Sequence, residues 1–281
     1  MFLKALHRRI KTESANEFGV SVKTNVRYGD YADAVCDVYR LGEGRLPVIV
    51  HFTDSPGKSD RSDYSAMASA IAAKNKVFVV AKTSVESLKA MTDCLRQMEE
   101  YLKLSGAGEK MDVNTLFFSG DGTGAWSALK AAGAATRGEP GFSIKPTGVM
   151  LFSGIPEPME LARLDLRSAK NALKYGFGVH GSADTIPESA VKEICPGFPP
   201  VFFLHSDADN LSFSQTAQLR SALKRAEVKY SEYRAAYRNV KRDFYLDAGS
   251  RPEADSALAA AARFADKCLN NELRIDEYTE I

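Results

Sequence analysis

Two rhythms of apolar residues alternate along the chain. Leu46 to Phe52, Val77 to Ala81, Thr115 to Phe118, Gly148 to Phe152 and Pro200 to Leu204 are short, nearly unbroken apolar runs. Runs of this length, without a wet face, predict strands buried on both sides of a sheet. Between them the spacing changes to three and four. Leu88, Met91, Leu95, Met98 and Leu102 mark an amphipathic helix over Val85 to Leu104, ended by Gly106-Ala107-Gly108. Further helices are predicted over Asp63 to Lys74, Ala125 to Ala135, Ser212 to Ala226 and Pro252 to Leu269, with Ser212 as an N-cap at capping-box distance from Gln215. Asp33 to Leu41 and Val228 to Tyr237 alternate more openly, as strands with one wet face, the second nearer the sheet edge. Strands that alternate with helices in this way imply an α/β architecture, a mostly parallel sheet with helices on both faces. Residues 156 to 199 carry helical stretches and loop signals but no strong strand, and read as a lid-like insertion.

Composition narrows the class. With 281 residues, 44% of them hydrophobic, the chain can bury one large core, so residues 1–281 are expected to form a single domain. Lys and Arg number 37 against 36 Asp and Glu, and the signs are interspersed, which excludes a polyanion-binding surface and argues against nucleic acid. Cys36, Cys94, Cys195 and Cys268 lie far apart with no CxxC pair, so neither a zinc site nor a disulfide framework is expected. Nothing calls for a metal or a cofactor. Charge interrupts the N-terminus at Lys4, too early for a secretory signal, and no apolar run reaches the length of a membrane span. The expectation is a cytoplasmic protein whose partner is a small molecule or another protein, with a homo-oligomer left open. The run with Leu3, Leu6 and Ile10 reads as a helix packed on its own domain.

In an open parallel sheet, chemistry gathers where the strands end. The run Thr115 to Phe118 leads straight into Gly120-Asp121-Gly122-Thr123-Gly124, three glycines in five residues, which permits a sharp strand-to-helix reversal with its central residue at positive φ. Neither the G-x-G-x-x-G register nor a G-K-[ST] ending is present, so nucleotide binding is set aside. S-G-D-G-T-G-A-W resembles the nucleophile elbow of the α/β-hydrolases, in the G-D-S-A-G-G form of the carboxylesterase, acetyl-esterase and hormone-sensitive-lipase-like enzymes. Other segments follow in that family's order: D-V-Y-R-L, then V-I-V-H-F-T-D-S in the place of the H-G-G-G oxyanion loop, then F-P-P-V-F-F-L-H-S-D-A-D in the place of the acid-bearing segment. The resemblance covers residues 33 to 269 and implies the α/β-hydrolase fold.

Carried over residue by residue, the resemblance puts Gly122 at the nucleophile position and Asp209 at the triad acid. His51 heads the oxyanion loop, with Phe52, Thr53 and Asp54 where glycines belong, and Thr123, directly after the elbow, takes a further oxyanion position. Arg242, in Lys241-Arg242-Asp243-Phe244, takes the histidine slot. The four histidines are His7, His51, His180 and His205, and none follows Asp209. Because serine is a weak nucleophile without a base, the usual triad cannot be assembled. Residual chemistry through Asp121, the Ser119 or Thr123 hydroxyl, or His180 is the less favoured alternative. His205 is read as structural, bonded to nearby turn backbone; Asp207 as an ordinary turn residue; Trp126 as helix packing; and Arg242, if near Asp209, as its ion-pair partner. The preferred reading is a non-catalytic member retained for ligand or protein binding, and the alternative is an esterase-like hydrolase of small acyl esters.

Overall fold

The computed structural model describes residues 11–13, 19–54, 60–83, 87–181, 186–209, 212–236, 240–274 and 277–280, without side chains at 11–13, 212–214 and 277–280. The stretch with Leu3, Leu6 and Ile10 and the capping role of Ser212 lie outside what is described. Among the described residues ten strands form one sheet: β1 (Lys11–Glu13), β2 (Ser21–Arg27), β3 (Val35–Arg40), β4 (Leu46–Phe52), β5 (Val77–Ala81), β6 (Met111–Asp121), β7 (Gly148–Phe152), β8 (Val201–Ser206), β9 (Tyr230–Ala235) and β10 (Glu277–Glu280). Their spatial order is β1-β2-β3-β5-β4-β6-β7-β8-β9-β10. The pairs β1–β2, β2–β3 and β3–β5 are antiparallel, and every pairing from β5–β4 onward to β10 is parallel.

Among the described residues there are seven α-helices: α1 (Ser65–Ala72), α2 (Leu88–Ser105), α3 (Gly124–Arg137), α4 (Pro158–Arg163), α5 (Arg167–Asn171), α6 (Ser212–Arg225) and α7 (Pro252–Leu269). Strand periodicity sorts the core into two layers. Val48, Val50 and Phe52 of β4, Val149 and Leu151 of β7, and Val201 and Phe203 of β8 face the layer shared with α2, α3 and α6. Ile49, Met150, Phe152, Phe202 and Leu204 face the layer shared with α1 and α7. Helices therefore cover both faces, and the central strands are buried on each side, as their apolar runs require.

The departures lie toward the sheet ends. β1, β2 and β10 fall in polar segments with no apolar run, and β10 is added outside β9, which lies next to the sheet edge as its alternation implied. β3 is almost wholly buried instead of having one wet face. Between β7 and β8 the chain forms α4, α5 and two further single turns, with no strand among its described residues. This segment is fastened to α3: the Trp126 indole N–H donates to the Glu188 carbonyl at 2.7 Å, and its ring meets Phe177 edge-on. Trp126 thus packs, as expected of it.

At the turn from β6 into α3, Gly124 lies so close to the end of β4 that a Cβ there would overlap the Phe52 carbonyl. Gly124→Ala is expected to force these backbones apart and lower the unfolding free energy by about 1–3 kcal/mol in urea denaturation. Unchanged stability would mean that the approach is looser than described.

Candidate functional site at the carboxyl edge of the sheet

The parallel strands β4, β6, β7 and β8 end at one level, and the chemically distinctive residues meet there. Gly122 turns the chain with φ +48° and is clamped to the neighbouring strand end: its N–H donates to the Phe152 carbonyl at 3.2 Å, and its own carbonyl accepts from the Ile155 N–H at 2.7 Å. The residue beside Gly122 is Asp54. A Cβ on Gly122 would overlap the Asp54 carboxyl group, so this carboxylate occupies the space a side chain at this turn would fill. Its Oδ1 accepts from the Thr123 N–H at 2.8 Å and from the Thr123 hydroxyl at 2.9 Å. A carboxylate at a helix N-terminus is well matched to the partial positive charge there.

Arg242 and Asp209 complete the row. The Arg242 guanidinium lies 3.4 Å from Asp54 Oδ2 through Nη2 and 3.4 Å from Asp209 Oδ2 through Nε. It also donates to the Ser153 carbonyl at 3.3 Å, while the Ser153 hydroxyl donates to the Arg242 carbonyl at 2.8 Å. Ser153, just past β7, is held at φ +45°, a left-handed conformation that costs a non-glycine residue energy and is retained by these contacts. Gly122, Asp209 and Arg242, far apart in sequence, are thus brought together through Asp54.

A second buried cluster lies on the opposite side of β6. The Asp121 carboxylate accepts from the Asp54 N–H at 2.7 Å, from the Tyr64 hydroxyl at 2.9 Å and from the Tyr245 hydroxyl at 3.3 Å. His51, wholly buried, places Nε2 3.2 Å from Asp121 and Nδ1 2.9 Å from the Ser119 hydroxyl. Its ring lies among Tyr64, Phe78 and Phe152. His51 therefore faces the α1 and α7 layer, and Asp121 points away from Gly122. Thr53 gives its N–H to the Ala81 carbonyl at 3.0 Å, and Phe52 continues the β4 pairing with β6. The Thr123 amide is directed to the elbow space, and Asp54 already holds it.

Burial raises the Asp54 carboxyl pKa, Arg242 opposes the rise, and the nearby Asp121 charge adds to it. Burial also pushes the Tyr64 and Tyr245 hydroxyls well up, and the Asp121 charge pushes them further. For Arg242 burial acts downward, but Asp54 and Asp209 outweigh it and hold the guanidinium charged. Among the described residues no group of three or more His, Cys, Asp or Glu could hold a metal ion.

The remaining candidates sit elsewhere. His180 is exposed in the segment between β7 and β8. His205, which the sequence assigns to turn backbone, instead bonds through Nε2 to Glu232 at 2.9 Å. Burial alone would raise the Glu232 carboxyl, but the contacts from His205 and from Arg220, at 2.6 Å, bring it below its usual value. The reason is geometric: at the end of β8 the imidazole points sideways toward β9, where Glu232 is in register with Phe203. Asp207 pairs with Arg234 at 2.7 Å, outside the Asp209 contact. In sequence Asp54 stood out only as a departure from the glycine loop of the family the chain resembles, and Ser153, Tyr64 and Tyr245 carried no motif that could have marked them.

The strand order from β2 to β9, with its antiparallel start, parallel remainder and glycine elbow after the central strand, is that of the α/β-hydrolase fold. No protein-family profile matches the chain, and no curated protein is significantly similar to it in sequence. Solved structures are similar in fold. Esterase B from Lactobacillus rhamnosis superposes with a TM-score of 0.77 at 16% identity, over 96% of this chain and 91% of that one. The esterase LipW from Mycobacterium marinum gives 0.73 at 13%, over 90% and 83%. A Pyrobaculum calidifontis esterase gives 0.67 at 15%, over 97% and 89%. No described helix is long and apolar enough to cross a membrane.

The raised Asp54 pKa has a definite sign. A carboxyl whose folded pKa exceeds its unfolded value of about 4 adds stability below that value and loses it as pH rises through the folded pKa. Asp54→Asn mimics the neutral form without titrating. The difference in unfolding free energy, wild type minus Asp54→Asn, is therefore expected to fall as pH rises from about 4 and to flatten above the folded pKa. A difference that grows with pH would show that Arg242 outweighs burial.

Proposed function

We propose that this chain is a non-hydrolysing protein built on the α/β-hydrolase fold, in which Asp54, Arg242 and Asp209 replace a catalytic triad and the site serves binding. It is read as one domain with residues 156–199 as its lid-like insertion. The observation that carries the reading is the Asp54 carboxylate against Gly122, on the Thr123 N–H. Acyl transfer needs a nucleophile at the elbow, a base to take its proton, and a free amide to receive the developing oxyanion. Glycine offers no hydroxyl. A guanidinium is protonated at any physiological pH and cannot accept a proton. The amide that would stabilise the oxyanion already bonds a negative group, so a second anion would meet repulsion instead of a donor. Arg242 also keeps the acid position neutralised: Asp209, which would orient a histidine, has a guanidinium beside it.

The esterase titles of the similar structures belong to those proteins, and at these identities they support the fold more than the activity. The expected outcome is that purified protein turns over p-nitrophenyl acetate no faster than an Asp209→Ala control and resists fluorophosphonate labelling. Gly122→Ser is expected to stay inactive as well, because its hydroxyl would meet the Asp54 carboxylate and find no histidine. Turnover by the wild type above the control would overturn the proposal and favour an active esterase of non-standard design.

A further inference from the structure

The segment between β7 and β8 is tied off at its base. The Ala190 N–H donates to the Pro156 carbonyl at 2.9 Å, and the Ser189 hydroxyl donates to the Glu157 carboxylate at 2.5 Å, so the chain leaving β7 meets itself 32 residues later. Gln215 of α6 fixes the outgoing limb: its side chain accepts from the Glu157 N–H at 2.8 Å and donates to the Glu157 carbonyl at 3.2 Å. On the returning limb, the Glu188 carbonyl beside Ser189 accepts from the Trp126 indole of α3 at 2.7 Å. Between these limbs the segment lies against the elbow, where a Cβ on Gly176 would overlap the Thr123 side chain.

Glu157 is 7% exposed, and among the described contacts no cation stands at ion-pair distance from it. Other buried carboxylates are matched differently. Glu193 lies against Lys130 and Arg137, Glu232 against Arg220, Asp37 against Arg61 and Asp209 against Arg242, while Asp121 accepts from two tyrosines and an amide. Glu157 has the neutral Ser189 hydroxyl, whose own oxygen also accepts from the Val191 N–H at 3.2 Å. Burial without a counter-charge favours the protonated carboxyl over the charged one. We propose that Glu157 and Ser189 form a pH-sensitive clasp, closed while the Glu157 carboxyl is protonated and loosened when it ionises and draws in water, which frees the segment from α3 and uncovers the elbow. As control of access, this rests on the reading of the elbow edge as the functional site.

The surroundings support that direction. Burial raises the Glu157 pKa, the Ser189 hydrogen bond and Lys192 oppose the rise, and Glu160 at the start of α4 adds to it. Lys192 is exposed and lies 3.6 Å from Glu188. From α6 the group that meets Glu157 is the neutral Gln215, and on α3 the nearby Lys130, over the Trp126 ring, is paired with Glu193. Because the folded pKa lies above the ordinary glutamate value of about 4.3, the contribution of the clasp is complete below that value and is lost as pH rises through the folded pKa.

The single tryptophan reports on the clasp directly, since Trp126 is buried and bonded to the residue beside Ser189. Its emission in the full chain is followed as pH is raised from about 4 to 8. The wild type is expected to shift to the red with a midpoint above about 4.3, whereas Glu157→Gln, which mimics the protonated form, is expected to keep the low-pH emission throughout. At pH near 7.5, hydrogen exchange at residues 158–181 is expected to be at least about threefold slower in Glu157→Gln than in the wild type. A wild type without the red shift would overturn the proposal, as would a Glu157→Gln protein that shifts equally or exchanges as fast. Ser189→Ala removes the donor that favours the charged form, so its midpoint is expected to move to higher pH; an unchanged or lower midpoint also overturns the proposal. If Glu157→Gln does not fold, the Ser189→Ala midpoint decides. Neither readout involves turnover of p-nitrophenyl acetate, so failure of the clasp leaves the non-hydrolysing reading standing, and hydrolysis would leave the clasp standing.

Discussion

A buried carboxylate must be met by donors, and the way Asp121 is met organises this edge of the sheet. Tyr64, just before α1, Tyr245, before α7, and the Asp54 backbone, just past β4, all converge on its two oxygens. Because the Asp54 amide is committed to Asp121, the Asp54 side chain starts from a fixed point beside the elbow. From there its carboxylate reaches Thr123, Arg242 reaches that carboxylate, and Asp209 lies on the far side of Arg242. One polar cluster in the layer of α1 and α7 thereby fixes the composition of the site on the other side of β6.

The elbow separates two properties that hydrolytic enzymes use together. Its geometry depends on backbone: positive φ at Gly122 and the close approach of Gly124 to β4, both of which stabilise the turn regardless of what the side chains do. Its chemistry depends on a hydroxyl, a base and a free amide. Here the backbone geometry is present, while Asp54 fills the space beside Gly122 and holds the Thr123 amide, and Arg242 lies against both Asp54 and Asp209. A charge pair of this kind keeps buried groups matched without offering any of them a reactive partner.

Much of the architecture was legible because the central strands are buried on both faces and must be apolar throughout, as Val48 to Phe52 and Val201 to Leu204 are. β2 escaped notice because it is antiparallel, half exposed and interrupted by a bulge near Asn25, so that Ser-Val-Lys-Thr-Asn-Val-Arg shows neither a run nor a clean alternation. β10, Glu-Tyr-Thr-Glu, is equally polar. At the site, Gly122, Asp209 and Arg242 could be picked out by order along the chain, and the structure brings them to one place. The part Asp54 plays there could not, because the resemblance marks Asp54 only as a departure from a glycine loop and says nothing about where its side chain goes. His205 was misjudged for a related reason: its partner, Glu232, lies on the adjacent strand, a relation that only the register of β8 and β9 creates.

The Asp54 carboxylate lies in a partly desolvated position on the Thr123 amide. The most direct measurement is a pH titration of the Asp54 carboxyl carbon by NMR, with the Thr123 amide followed in the same samples. The account predicts a midpoint above that of an ordinary aspartate, with the Thr123 resonance moving at the same pH. An ordinary midpoint with a Thr123 amide that ignores it would contradict the account.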